Sequence, residues 1–217
     1  AWQQVSIPTR ECPGVSRCPF GGECFVERSR ESARTADLIV TNHALVAINA
    51  MHGGTALPEH DALIIDEAHE LMGRLTTAAT GELSAGVAER VVKRCLAWLD
   101  DELGGDLLDA VEELHDALAD SPTGRITGVD VPLPAACAGL RDASRRAISD
   151  LGKDRDNPER SQAAGALGEV FDISERIARL ADQDVVWVSR SDGIGETAHV
   201  APLSVAGLLR EQVFGQA

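Results

Sequence analysis

Apolar positions along this chain change their period several times, and each change marks a boundary. "FVERSRESARTA" (25–36) spaces its apolar residues as one face of a helix, whereas "DLIVT" (37–41) is a short β-branched run that predicts a strand. Asn42 follows, well placed to cap a helix over "HALVAINA" (43–50). After a loop bearing Gly53, Gly54 and Pro58, the run Ala62–Ile65 predicts a second strand that ends at Asp66. Helix, strand, helix, strand is the alternation of a parallel sheet.

From about Gly73 to Gln183 the pattern is almost wholly helical. Helices are predicted over 84–102, 105–119, 134–152 and 159–182, the first opened by Ser84 and the last by Pro158. The connector "SPTGRITGVDVPLP" (121–134) is rich in Gly and Pro, with room for a short extended piece. Strand character returns in "DVVWVSR" (184–190) and "ETAHVAPL" (196–203), which flank the turn "SDGIG" and predict a hairpin. "SVAGLLREQVF" (204–214) predicts a last helix. Strand-bearing flanks around a long helical stretch are the signature of an insertion, in which the flanks share one sheet and the insert folds on its own.

Composition adjusts this picture in three respects. A chain of 217 residues buries one good core, or one core plus an appendage. Neither an apolar run near the roughly 20 residues of a membrane span nor a basic-then-apolar leader is present, so a cytoplasmic protein is expected. The first residue is Ala1 and not Met, which reads as a cut inside a longer protein. The net charge of -15 argues against a protein that coats nucleic acid, but it is unevenly spread. Nine acids and no Lys or Arg lie between Asp100 and Asp120, whereas five arginines face four glutamates between Arg10 and Arg34. Any DNA contact is therefore expected at the arginine-bearing end.

Five cysteines divide by context. Cys95 ("VVKRCLAWL") and Cys137 ("PAACAGL") sit in apolar helical surroundings and read as core residues. Cys12, Cys18 and Cys24 are spaced six apart in "PTRECPGVSRCPFGGEC" (8–24), a segment with three prolines and three glycines. Three thiolates in such a loop can converge on a metal centre, iron–sulfur or zinc, or can be structural thiols. A cluster or a zinc ion takes four ligands as a rule, so three cysteines alone complete neither.

The most pointed stretch is "HDALIIDEAHEL" (60–71). Four apolar residues run into two adjacent carboxylates, Asp66 and Glu67, at the carboxyl end of a predicted strand, where open parallel sheets collect their ligands. A hard Mg²⁺ ion takes one or two carboxylates together with substrate phosphates, a role for Asp66, while Glu67 can orient an attacking water. The bland alternative is an acidic helix start, with Asp66 as cap and Glu67 favoured by the helix dipole. A phosphate-cradling G-x-x-x-x-G-K-S/T loop is missing, because Lys93 is followed by Arg94 and Lys153 by Asp154.

"LIIDEAHEL" resembles motif II (Walker B) of superfamily 2 helicases. "ADLIVTNHALV" (36–46) is similar to the strand–Asn–His segment of the iron–sulfur helicases of DinG and XPD type, and the cysteine loop upstream resembles bacterial DinG in particular. The resemblance is strong over about 8–75 and moderate over 184–217, where "VVWVSR…APLSVAGLLREQVF" is similar to the return into a first motor domain. Between them it is architectural only.

The resemblance implies an α/β fold with a large all-helical insertion: a partial parallel sheet of a RecA-like motor domain plus a helical arch. The divisions are a cysteine-rich iron–sulfur region (1–36), part of the motor with motif II (37–74), the arch (75–183) and the return hairpin and helix (184–217). It implies an ATP-dependent 5′–3′ DNA helicase of DNA repair and replication, with ATP, Mg²⁺ and a 4Fe-4S cluster held by Cys12, Cys18 and Cys24 plus a fourth ligand absent from this chain. Asp66, Glu67 and His69 become the catalytic set, with His69 coupling nucleotide state to the motor. Arg28, Arg30 and Arg34 are expected beside a single-stranded path of single-stranded or forked DNA, against the alternative of salt bridges to Glu27 and Glu31. His43 is expected to contact DNA, to support motif II, or to be a hydrogen-bonded structural residue. Lacking the phosphate loop, the chain alone is expected to be inactive, and uncovered apolar faces of an incomplete sheet are expected to favour self-association. The other class of reading is a non-catalytic cysteine-loop and helical module that binds protein or DNA.

Overall fold

The computed structural model describes residues 12, 14–51, 53–54, 56–128, 130–153, 157–191, 193 and 195–215. It divides into two compact units. One comprises Gly81–Val200, grouped with the chain up to Cys18; the other comprises Pro19–Thr80 with Ala201–Ala217.

The larger unit is built on four long helices. Helix α4 (Ala85–Cys95) is capped by Ser84, whose hydroxyl accepts from Val87 N–H. A single tight turn over Leu96–Trp98 then breaks the helix, and α5 (Asp101–Asp120) restarts with the Asp100 carboxylate accepting from Leu103 N–H at 2.8 Å. The expected boundary at residues 103–104 is thus displaced. Gly104 lies inside α5, where a side chain would come within 3.1 Å of Leu96 Cδ2, so it serves close packing and not chain breaking. Helix α6 (Pro132–Leu151) begins with Pro at its first turn, and α7 (Pro158–Arg179) is capped by Asn157, which accepts from both Glu159 and Arg160 N–H.

Among the described residues four strands complete this unit: β1 (Gly81–Leu83), β2 (Gly124–Ile126), β3 (Asp184–Ser191) and β4 (Gly195–Pro202). They form one sheet in the order β1-β4-β3-β2, with β1 antiparallel to β4 and β2 antiparallel to β3. Period-2 alternation turns Leu83, Ile126, Val186, Val188, Ala198 and Val200 onto the helices, where they join Leu107, Leu114, Leu140, Leu167 and Ile177 in one core. Glu82 pairs with His199 and Arg125 with Trp187 on the opposite face, and the Trp187 and His199 rings stack at 4.9 Å. The hairpin was expected to share a sheet with 37–41 and 62–66; its ladder partners are β1 and β2 instead.

The smaller unit contains α1 (Phe25–Arg34), α2 (His43–Met51), α3 (His69–Ala79) and α8, which starts at Ala206–Leu208 and continues as a wider π-helical turn over Leu209–Phe214. Val46, Ala47 and Ala50 of α2 pack on Leu71 and Leu75 of α3, with Val205 closing the cluster and Ile65, Leu208 and Val213 at its margin. The two segments expected as parallel strands, 37–41 and 62–66, are irregular and join no sheet. A strand is stable only beside another strand, and among the described residues none lies alongside. The apolar side chains of these segments are correspondingly bare: Leu38, Val40 and Ile64 are 81%, 89% and 93% exposed. The described sheet is therefore wholly antiparallel.

Candidate active site at the acidic turn

Asn49 shapes the approach to the acidic turn. It is buried in α2, and its Oδ1 accepts from the backbone N–H groups of Ala56 (2.9 Å) and Leu57 (2.8 Å), while Gly54 N–H returns to Asn49 O. A lone Asn on the apolar side of "HALVAINAM" was the signal that could have found it. Gly53 and Gly54 both have positive φ, which lets the chain reverse there. The segment then passes Ile65, half-buried against the α2–α3 core, and turns at Asp66–Glu67–Ala68 into α3.

Inside the turn the two acids are tied to the backbone. Asp66 Oδ1 accepts from Glu67 N–H at 2.9 Å, and Glu67 O accepts from Glu70 N–H at 2.9 Å. Glu67 has φ +47°, a left-handed conformation uncommon for a residue with a side chain. His43, the first residue of α2, places its Nε2 2.9 Å from Asp66 O; a carbonyl only accepts, so this nitrogen carries the proton. His69 Nδ1 lies 3.4 Å from Glu67 Oε2. The turn thus gathers Asp66, Glu67 and His69, which were expected together, and His43, expected to contact DNA, to support motif II or to be structural, bonds to the backbone carbonyl of Asp66.

Asp66 is not the cap of α3. The cap position is Ala68, without a side-chain hydrogen bond, so the helix-start alternative for Asp66 lacks its defining contact. Asp66 and Glu67 are exposed. A single exposed carboxylate fits Mg²⁺, which retains waters and takes few protein ligands.

The remaining candidates lie elsewhere in the chain. Arg30 pairs with Glu27 at 2.8 Å and Arg34 with Glu31 at 2.7 Å along α1, as the alternative reading had it, while Arg28 lies over the Phe25 ring at 4.6 Å. All three arginines remain exposed. Exposed pairs at this spacing are worth only about 0.3–0.5 kcal/mol, so they can exchange for another anion. Cys12 is exposed and Cys18 and Cys24 are half-buried, all as free thiols. Among the described residues no three His, Cys, Asp or Glu side chains are gathered as a metal site. Cys95 and Cys137 are buried, and desolvation pushes their thiols up to about 11 and about 12, which makes them poor thiolate donors.

Among the described residues no helix is long and apolar enough to cross a membrane. Helices, an antiparallel sheet and an acidic turn make up a mixed helix-and-sheet chain with two adjacent exposed carboxylates. The chain is 41% identical over its whole length to the ATP-dependent helicase DinG of Mycobacterium tuberculosis, of which it spans 34%. It is 39% identical over 75 residues, a third of its length, to the ATP-dependent DNA helicase YoaA of Escherichia coli. Over 71% of its length it is 28% identical to the ATP-dependent DNA helicase DinG of Photobacterium profundum, covering 26% of that protein. No family profile matches. The chain is similar to the DinG helicases along its whole length and spans about a third of theirs.

Proposed function

We propose that the protein carrying this chain is an ATP-dependent DNA helicase with 5′–3′ polarity, and that the acidic turn supplies its hydrolytic acids. The observation that carries this reading is the turn itself: two adjacent exposed carboxylates, Asp66 held by a backbone N–H and Glu67 beside His69, in a chain 41% identical throughout to a protein named an ATP-dependent helicase. Asp66 would hold Mg²⁺, which supplies charge neutralisation at the transferred phosphoryl group. Glu67 orients the attacking water, and His69, beside it, relays the state of the site to α3. The segments 37–41 and 62–66 become strands of a parallel, RecA-like motor sheet once flanking strands lie beside them, and the helical unit is the arch inserted between them and α8.

Cys12, Cys18 and Cys24, which are not gathered together among the described residues, are proposed to converge on a 4Fe-4S cluster with a fourth ligand from outside this chain. Arg28, Arg30 and Arg34 are proposed to contact the phosphates of single-stranded or forked DNA, releasing their glutamate partners as they do so. A cytoplasmic location is proposed with such a substrate. The bare side chains of Leu38, Val40 and Ile64 are proposed to make the 217-residue chain self-associate when expressed alone.

Strand separation by the full-length protein tests the reading. Displacement of a strand from a forked duplex with a 5′ tail, dependent on ATP and on protein-bound iron, is the expected outcome. DNA binding without nucleotide turnover would instead establish the non-catalytic module.

A further inference from the structure

The Asp66–Glu67 peptide group is gripped at both ends. Its carbonyl accepts from His43 Nε2–H at 2.9 Å, and its N–H donates to Asp66 Oδ1 at 2.9 Å. A peptide is planar, so fixing the carbonyl direction fixes the N–H direction. The N–H in turn fixes the rotation of the Asp66 carboxylate, and the same plane is the starting point of Glu67, held at φ +47°. One imidazole therefore orients the Asp66 carboxylate and fixes the peptide plane from which Glu67 departs.

The imidazole is itself held. Asn42 Oδ1 accepts from Leu45 N–H at 2.9 Å, and Asn42 O accepts from the N–H groups of Leu45 and Val46, so the first turn of α2 is capped at the residue before His43. Val46, Ala47 and Ala50 on α2 then lock that helix to Leu71 and Leu75 of α3, which begins two residues after Glu67. The helix pair thus fixes the distance across which His43 reaches.

We propose that His43 is a positioning residue of the hydrolytic site, acting through the Asp66–Glu67 peptide and not by touching nucleotide or DNA. The proposal rests on the reading of Asp66 and Glu67 as the hydrolytic acids. A donor at the Nε2 position is the whole requirement, so His43→Gln, whose amide nitrogen reaches a similar point, replaces it. His43→Asn, whose amide mimics the nearer ring nitrogen, does not.

In the full-length protein, His43→Ala and His43→Asn are expected to lower kcat for DNA-stimulated ATP hydrolysis by about 10–100-fold, the range typical of groups that orient a site from behind. KM for ATP stays within about twofold and His43→Gln recovers most of the rate, by the same logic of orientation without ligand contact. Unchanged kcat in His43→Ala, a loss confined to KM, or a Gln variant no better than Ala would overturn the proposal. A Glu67→Gln control separates the two claims: if that variant keeps full turnover, the assignment of the acids fails. The geometry is then still tested by long-range ¹H–¹⁵N correlation of the 217-residue chain. The account expects the Nε2–H form of His43, and the Nδ1–H form would overturn it whatever the enzyme does.

Discussion

Two glycines, both easily read as chain breakers, are expected to respond to alanine in opposite directions. Gly81 begins β1 opposite Val200, and a Cβ there would lie 2.9 Å from Ile173 Cγ1 and 3.3 Å from both Ile173 Cγ2 and Val200 Cγ1. Ile173 is a branched side chain on α7, half-buried against the core, so its movement must displace neighbours. Overpacking of this kind costs about 1–3 kcal/mol. Gly105 lies within α5, and a Cβ there meets nothing within 4 Å. Gly105→Ala therefore keeps only the helix-propensity gain, about 0.5–1 kcal/mol of stabilisation. Urea unfolding of the 217-residue chain, followed by helical circular dichroism, reads both through the midpoint at constant slope. Equal shifts of the same sign would refute the packing of β1 on α7.

Other outcomes follow from the cysteines and charges. At pH 8 the thiolate fraction is about one in ten thousand for Cys137 and about one in a thousand for Cys95, given thiols raised to about 12 and about 11; both should resist iodoacetamide in the native chain and react after unfolding, which mass mapping would show. Cys18→Ser should leave helical circular dichroism and the main melting transition nearly unchanged, because the core of the larger unit includes no loop cysteine; collapse of the whole signal would mean that the loop organises the fold. Arg141, bonded to Asp142 and to Glu175 of α7, holds the Asp142 carboxyl below its usual range. That contribution is present above the unfolded value near 3.8 and disappears as pH falls through the lower folded one. Arg141→Gln should accordingly cost up to about 1 kcal/mol at neutral pH, after solvent screening, and progressively less in acid.

Local signals carried most of the helical architecture. Asn42 caps α2, Asn157 and Pro158 open α7, and the Gly-rich turn after Ser191 closes the β3–β4 hairpin, each within a few residues of where the sequence points. What failed was non-local. β1 is three residues long and exists only because β4 pairs with it, so no period of its own marks it. The apolar runs at 37–41 and 62–66 have the composition of strands, but composition does not supply a neighbour, and without one they remain irregular. The run 60–71 put Asp66, Glu67 and His69 together, while the role of His43 was left open among DNA contact, support of motif II and structure. The bond from His43 to a backbone carbonyl was not legible, because it depends on how α2 packs on α3.

Hydrolytic acids at Asp66 and Glu67 and a merely acidic helix start differ in what Glu67 does to turnover. Phosphate release by the full-length protein and its Glu67→Gln variant, measured with single-stranded DNA and saturating ATP, tests this most directly. The account predicts turnover reduced by at least about a hundredfold in the variant, as for loss of a water-orienting group, with nucleotide affinity preserved and no turnover from the 217-residue chain alone. Full activity in Glu67→Gln, or DNA-stimulated hydrolysis by the isolated chain, would contradict it.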